Sequence, residues 1–545
     1  MALFSFLDKE RTIGGPGFNR WLVPPAALAI HLCIGMAYGF SVFWLPLSRA
    51  IGIKDPLACG DIGFLGQIVS NSCDWPISML TVIYTLFFVF LGSSAALFGG
   101  WLEHAGPRKA GVVAALCWCG GLLVSALGVY LHQIWLLWLG SGVIGGIGLG
   151  LGYISPVSTL IKWFPDRRGM ATGMAIMGFG GGAVIGAPLA DALMKHFATP
   201  LSIGVWQTFV VMAVVYFIFM MAGALAYRVP ASGWKPAGWS GPVAKTANKM
   251  ISTRHVHVKK VWGIPQFWLL WSVLFLNVTA GIGVLGMGSP LLQEIFGGKL
   301  LGLDLPFNQL DAGQKAQIAS IAAGFLGLLS LFNIGGRFVW ATVSDYIGRK
   351  ATFFTFFVLG IVLYVSIPSL AHAGNKPLFV IAFCVIISMY GGGFATIPAY
   401  LGDMFGTQMV GAIHGRILTA WSSAAVIGSL LVTFVREYQI SHGVPKAQAY
   451  DVTMYVLAGL LLLGLVCNLL VRPIADKHFM TDGELAAEKK LAHDRDASAA
   501  SGNGGVAVSG GTVSPVVVVL AWAAVGIPLA FGIWVTLQKA IVFFQ

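Results

Sequence analysis

Apolar runs of about 20 residues or more recur along this chain from residue 21 to residue 537, with short polar segments between them. A helix rises about 1.5 Å per residue, so each run is long enough to cross a hydrocarbon core about 30 Å thick. One soluble core could not hide that much apolar surface. With 57% hydrophobic and only 10% charged residues in 545, the chain reads as an all-α polytopic membrane protein. Twelve spans are expected at 21–47, 76–101, 110–131, 135–162, 170–193, 204–227, 266–291, 317–344, 351–371, 377–401, 411–435 and 450–472. A polar, basic segment, 228–263, divides them six and six. A hydrophilic linker, 473–512, carries the flexible composition Ser501-Gly502-Asn503-Gly504-Gly505. The run 514–537 is free of charge as far as Lys539 and lacks the polar stripe of a surface helix, so a thirteenth span is expected.

The net charge of +12 follows the membrane and is no sign of nucleic-acid binding. With the N-terminus inside, the inner segments hold 23 Lys and Arg and the outer loops hold 8. That bias places the N-terminus in the cytoplasm and, after twelve spans, the linker as well. Residues 1–20 contain charges and no apolar run, so no cleavable signal is expected there. The organisation expected is a cytoplasmic N-terminus (1–20), an N-terminal six-helix bundle (21–227), a cytoplasmic basic loop (228–263), a C-terminal six-helix bundle (264–472), a cytoplasmic linker (473–512) and a last transmembrane helix (513–545).

One span breaks the rule against membrane charge. Arg337 lies eight residues before the turn at Asp345-Tyr346-Ile347-Gly348-Arg349-Lys350, or about 12 Å along the helix and near mid-depth. A cation there costs several kcal/mol unless it faces a partner or a wet cavity. Asn333, Gly336, Arg337 and Trp340 share one helical face, which is expected to look inward. The inner helices offer almost no carboxylate, so an anion site is the reading preferred over a buried structural ion pair. The turn itself has a counterpart six helices earlier, Glu103-His104-Ala105-Gly106-Pro107-Arg108-Lys109. In each, an acid precedes a Gly and then basic residues. Glu103, Gly106, Arg108, Asp345, Gly348 and Arg349 are thus candidate gating residues, and two copies in matching places indicate parallel halves.

The rest of the titratable inventory is sparse. His31, near mid-depth of the first span, could carry a coupling proton or be a hydrogen-bonded structural histidine. Asp191 and Lys195, four apart near the outer end of the fifth span, read as a surface ion pair. Cys33, Cys117, Cys119, Cys384 and Cys467 lie in apolar helices and read as small hydrophobes. Cys59 and Cys73 share a long polar outer loop, as a disulfide if that side is oxidising or as two free thiols. Glycines four apart, such as Gly142, Gly146 and Gly150 or Gly178, Gly182 and Gly186, give smooth faces for close helix packing. No metal spacing, nucleotide loop, Ser-His-Asp set or carboxylate pair stands out, so neither a cofactor nor an enzyme activity is expected.

The paired turns resemble the loop signature of the major facilitator superfamily, with Glu103 for the usual Asp and Pro107 interrupting the basic pair. Lys162-Trp163-Phe164-Pro165-Asp166-Arg167-Arg168-Gly169, Gly178-Phe179-Gly180, Pro265-Gln266-Phe267-Trp268-Leu269-Leu270-Trp271 and Phe332-Asn333 through Arg337 resemble the oxalate/formate antiporter family. The resemblance covers about residues 20–475. It implies a major facilitator fold of two six-helix bundles and transport by alternating access. The family's oxalate exchanger uses two cations. Arg337 matches the first, but counting from Phe405-Gly406-Thr407 the second, a Lys, falls at Trp421. One Arg suits one carboxylate, held bidentately, and Trp421 would form an apolar wall. The substrate implied is therefore a monocarboxylate such as lactate, pyruvate or formate, with proton symport ahead of anion exchange. Tyr38 and Tyr153 match aromatic positions of the family's cavity, although aromatics packed between helices would look the same. Tyr390 and Asn277 are weaker candidates, and His414 and Arg416 would sit at the gate or among lipid headgroups. The partners implied are a small carboxylate, possible protons and the lipid bilayer, with no nucleic acid and a monomer as the functional unit, in a bacterial inner membrane. A non-transporting sensor on the same fold is the alternative class.

Overall fold

A computed structural model describes residues 6–544 except 16, 54, 60–61, 165–167, 232–233, 237, 239–249, 253, 407–408, 488–489 and 491–513. Pro165-Asp166-Arg167, Thr407, most of the linker and the side chain of Glu103 lie outside the described residues. The spans are α1 (Arg20–Leu47), α2 (Ile77–Ala105), α3 (Pro107–Tyr130), α4 (Ile134–Leu137 continuing through Gly146–Trp163), α5 (Arg168–Phe197), α6 (Val205–Ala226), α7 (Pro265–Phe296), α8 (Ala312–Ile347), α9 (Arg349–His372), α10 (Lys376–Phe405), α11 (Val410–Ile417 and Thr419–Ser441), α12 (Asp451–Leu470) and α13 (Pro515–Ala540). Thirteen described helices are thus long and apolar enough to cross a membrane. The chain is an integral multi-pass membrane protein. Among the described residues only isolated bridges, and no strands, accompany the helices.

Glycine sets the helix contacts. A Cβ on Gly142 or Gly146 would strike Leu86 or Phe90 of α2 at 2.8 and 2.7 Å, and one on Gly148 the α3 backbone at Trp118 at 2.6 Å. Gly178, Gly182 and Gly186 press on His31, Gly35 and Met36 of α1, where that helix tightens to 3₁₀ geometry over Gly35–Phe43. The two matched turns have nearly the same backbone: Gly106 at φ 86°, ψ 161° and Gly348 at φ 88°, ψ 153°. A side chain is strained at that φ, so both positions call for Gly.

The two six-helix bundles meet along α5–α8, α2–α11 and α1–α7. Toward the end that carries loop 48–76, Glu437 accepts from the Ser78 N–H at 2.9 Å and the Trp44 indole donates to the Gly286 carbonyl at 2.8 Å. That loop is tied by a disulfide between Cys59 and Cys73, and Asp74 accepts the backbone N–H groups of Ile51, Gly52 and Leu57 at 2.7, 2.8 and 2.9 Å. At the opposite end the basic segment after α6 begins on one bundle and ends on the other. Val229 pairs with Ile13, whereas Ser252 and Val256 donate to the Asp403 and Phe405 carbonyls. Arg254–Asp476 and Lys260–Glu484 ion pairs then clamp the segment following α12.

Two sequence expectations are narrowed here. Of the gate and the headgroups, the two places expected for Arg416, the headgroups do not fit: it donates to the Val258 carbonyl and lies over Trp262, because the end of the basic segment folds back onto α11. Nor is Asp191 a surface acid. It is buried and shared by Lys195 and by Lys539 of α13, since that helix lies across α5, α1 and α8 and covers it.

Candidate functional site

Arg337 sits in α8 with no exposed surface. Its Nε donates to Asn333 Oδ1 one turn back at 3.1 Å, whereas both Nη atoms are buried without a hydrogen-bond partner. Among the described residues no carboxylate reaches it. Two parallel N–H groups on a desolvated cation are a bidentate receptor for a carboxylate. Close backbone approach holds the side chain in place. A Cβ on Gly180 of α5 would lie 2.9 Å from Arg337 Nε and 3.1 Å from Asn333 Oδ1, and Ser330 of α8 donates to the Gly180 carbonyl. On the other flank Gly336 and Gly391 let α8 and α10 touch backbone to backbone.

Aromatic rings from six helices surround this cation. Phe179 of α5 stands edge-on to Tyr38 of α1 (5.0 Å between ring centres), Tyr153 of α4 (5.5 Å) and Trp421 of α11 (5.6 Å). Trp421 also packs on Phe88 of α2 at 5.3 Å, Tyr153 at 5.4 Å and Phe394 of α10 at 4.4 Å. Phe394 lies 5.6 Å below the Arg337 guanidinium carbon. The Tyr38 and Tyr390 hydroxyls are hydrogen-bonded at 2.8 Å, joining α1 of one bundle to α10 of the other. The Tyr38 and Tyr153 hydroxyls both lie near the Arg337 guanidinium. The structure therefore brings Arg337, Asn333, Tyr38, Tyr153 and Trp421 into one cage.

Phe88, Phe179 and Phe394 carry no site role in the sequence reading. Phe179 had a usable signal: in Gly178-Phe179-Gly180 one glycine faces His31 and the other Arg337, which leaves the ring between them in the cage. Phe88 and Phe394 had none, being two of 36 phenylalanines. His31 packs behind the cage wall, its ring 5.6 Å from Tyr153 and 6.2 Å from Phe179, with Nε2 donating to the Tyr153 carbonyl at 3.2 Å. Asn277 faces Gly393 on α10. His414 is buried and its Nε2 has no partner, an interior rather than a headgroup position.

The turn residues lie apart from the cage. Arg349 holds Asp345 at 2.6 Å, Asp403 at the end of α10 at 3.3 Å, and Ser344. Arg108 instead donates to the Phe6 and Tyr227 carbonyls at 2.8 and 3.1 Å, and Lys109 pairs with Asp8 at 3.3 Å. Each turn thus pins helix ends within its own bundle.

Residues 27–429 match the Major Facilitator Superfamily. The chain belongs to it. This facilitator is 23% identical over 412 residues to the oxalate:formate antiporter of Oxalobacter formigenes, covering 75% of this chain and 83% of that one. It is 25% identical over 448 residues to apicoplast pyruvate carrier 1 of Toxoplasma gondii, covering 71% and 78%. Its fold matches a bacterial homologue of the human lysosomal transporter Spinster, crystallised inward-facing and unoccupied, with a TM-score of 0.55, 13% identity and coverage of 83% of this chain and 96% of the other. The facilitator is a transporter and not an enzyme, and α13 lies beyond the matched residues.

Proposed function

We propose that this facilitator carries small monocarboxylates such as lactate, pyruvate or formate, coupled to protons, by alternating access. One observation carries the reading: in a sealed aromatic cage the Arg337 guanidinium presents two unpartnered Nη groups. Among the described residues of the cage it is the only fixed cation, with an indole where a dianion site needs a second positive charge. One carboxylate neutralises it, and a second would be desolvated with no second cation to balance its charge. The names borne by two relatives, an oxalate:formate antiporter and a pyruvate carrier, support a small carboxylate as the cargo.

In this reading Asn333 orients Arg337, and Tyr38, Tyr153 and Trp421 enclose the ligand. His31, whose ring stacks beside Tyr153, is the coupling group in this reading. Residues 21–227 and 264–472 rock about the site as a single monomeric unit. The turns around Glu103, Gly106 and Arg108 and around Asp345, Gly348 and Arg349 hold each bundle rigid during the motion. The Lys and Arg bias supports a cytoplasmic N-terminus (1–20), loop (228–263) and linker (473–512), and the membrane proposed is a bacterial inner membrane. The second reading is anion exchange, favoured by the printed activity of the Oxalobacter relative. Uptake of labelled lactate, pyruvate, formate and oxalate into proteoliposomes, with and without an imposed pH gradient, separates the two. Proton symport requires gradient-driven accumulation of a monocarboxylate. Uptake that needs a trans anion and ignores the gradient establishes exchange instead.

A further inference from the structure

The unsatisfied donors of the cage extend beyond the guanidinium. The Trp421 indole N–H is buried and has no acceptor, and the Tyr153 hydroxyl, close to Arg337, makes no well-aligned hydrogen bond. Asn333 Nδ2 is likewise unpartnered. These groups come from α11, α4 and α8, and the first two belong to rings 5.4 Å apart. A buried donor left unpaired is costly, so a pocket that gathers several beside one cation is complementary to a ligand with more acceptors than one carboxylate supplies. A purely apolar wall would use Phe at 421, which fills most of the same space and leaves nothing unpaired.

We infer that Trp421, with Tyr153 beside it, selects monocarboxylates that bear an oxygen on the carbon next to the carboxylate, namely 2-hydroxy and 2-oxo acids, over plain alkanoates of the same size. The inference rests on the monocarboxylate reading above and narrows it. With the carboxylate on the two Nη atoms of Arg337, the C2 oxygen is the next acceptor along the ligand. The indole N–H donates to it whether it is a hydroxyl or a carbonyl. The Tyr153 hydroxyl can donate to either and can accept from a hydroxyl. A methylene at C2 leaves both groups orphaned, and the penalty falls on the ligand that lacks the oxygen.

Lactate and propionate differ only in that oxygen, so they make the test. Affinities for lactate, pyruvate and propionate are measured on the purified full-length protein and on Trp421→Phe, which keeps a ring and removes the N–H. The wild type is expected to bind lactate and pyruvate about tenfold or more tightly than propionate. Trp421→Phe is expected to erase most of that ratio by weakening lactate and pyruvate more than propionate. Equal wild-type affinity for lactate and propionate overturns the inference while leaving monocarboxylate transport intact, and this arm needs no variant to fold. An equal loss of all three ligands in Trp421→Phe also overturns it, since the indole then only packs. A wild type that binds none of the three but does bind oxalate removes the monocarboxylate reading, and the inference with it.

Discussion

Lys539 of α13 places its ammonium 3.0 Å from Asp191 Oδ2 of α5, on the same carboxylate oxygen that Lys195 approaches at 3.1 Å. The contact is one of several by which α13 spans the seam between bundles. Trp522 donates to the Trp21 carbonyl at the start of α1 at 3.0 Å, Gly532 lies on Val184 of α5, and Thr536 and Lys539 fill the notches at Gly327 and Gly324 of α8. Lys539→Met is expected to lower stability by about 1 kcal/mol, because Lys195 still pairs with the carboxylate. Thermal unfolding in detergent against Lys195→Met shows which lysine matters more. A cytoplasm-only reporter fused after α13 is expected to be silent, and activity there would contradict a thirteenth crossing.

Arg337→Ala removes both free Nη groups and is expected to weaken lactate binding about 100-fold or more. Arg337→Lys keeps the charge and loses the fork, so it should also bind poorly. Binding of labelled lactate to the two variants tests this. Wild-type affinity in Arg337→Ala would remove the residue from the site.

The bond between Cys59 and Cys73 closes a loop against the end of α2. Maleimide labelling of unreduced, denatured protein is expected to leave both positions unmodified. Breaking the bond in Cys59→Ser should cost about 2–3 kcal/mol of stability. Labelling at both sites without reductant would refute the pairing.

Beside that loop His132, between α3 and α4, stacks on Trp75 at 3.9 Å and donates from Nε2 to the Cys73 carbonyl at 2.8 Å. Burial pushes its pKa below the ordinary value, against weaker opposing effects of that hydrogen bond and of Asp74. A depressed folded pKa contributes stability that is whole above about 6.5 and is lost as pH falls through the lower folded value. The melting temperature of the wild type should therefore drop on acidification below about pH 6.5. His132→Asn, which tolerates the φ of 52° at this position, should show a smaller drop over the same range. Parallel curves for the two proteins would assign the acid sensitivity elsewhere.

Trp421→Lys supplies the second cation that a dianion needs. It is expected to raise oxalate affinity about tenfold or more and to lower lactate affinity, as read by competition against labelled lactate. An unmodified protein that prefers oxalate to every monocarboxylate would mean its second positive charge lies elsewhere, with His31 the first residue to examine.

Hydropathy is a property of each stretch of chain taken alone. The sequence by itself therefore determined thirteen stretches long and apolar enough to cross a membrane, two sets of six among them, and the place of Arg337 eight residues before its turn. The two glycine turns were legible for the same reason: Gly106 and Gly348 encode a local backbone angle, and their motif repeats. Pairing across the fold is not local, and only the tertiary structure decided it. Glu294 of α7 meets Arg436 of α11 and Tyr450 at the start of α12, a buried triad that the sequence reading broke up by assigning Arg436 to an outer loop. Tyr38 reaches Tyr390 across 352 positions, and Lys539 reaches Asp191 across 348. Such contacts depend on which helix faces lie against each other, and that is set by close packing at glycines such as Gly180 and Gly336, where the absence of a side chain lets a distant helix come near enough to complete the cage.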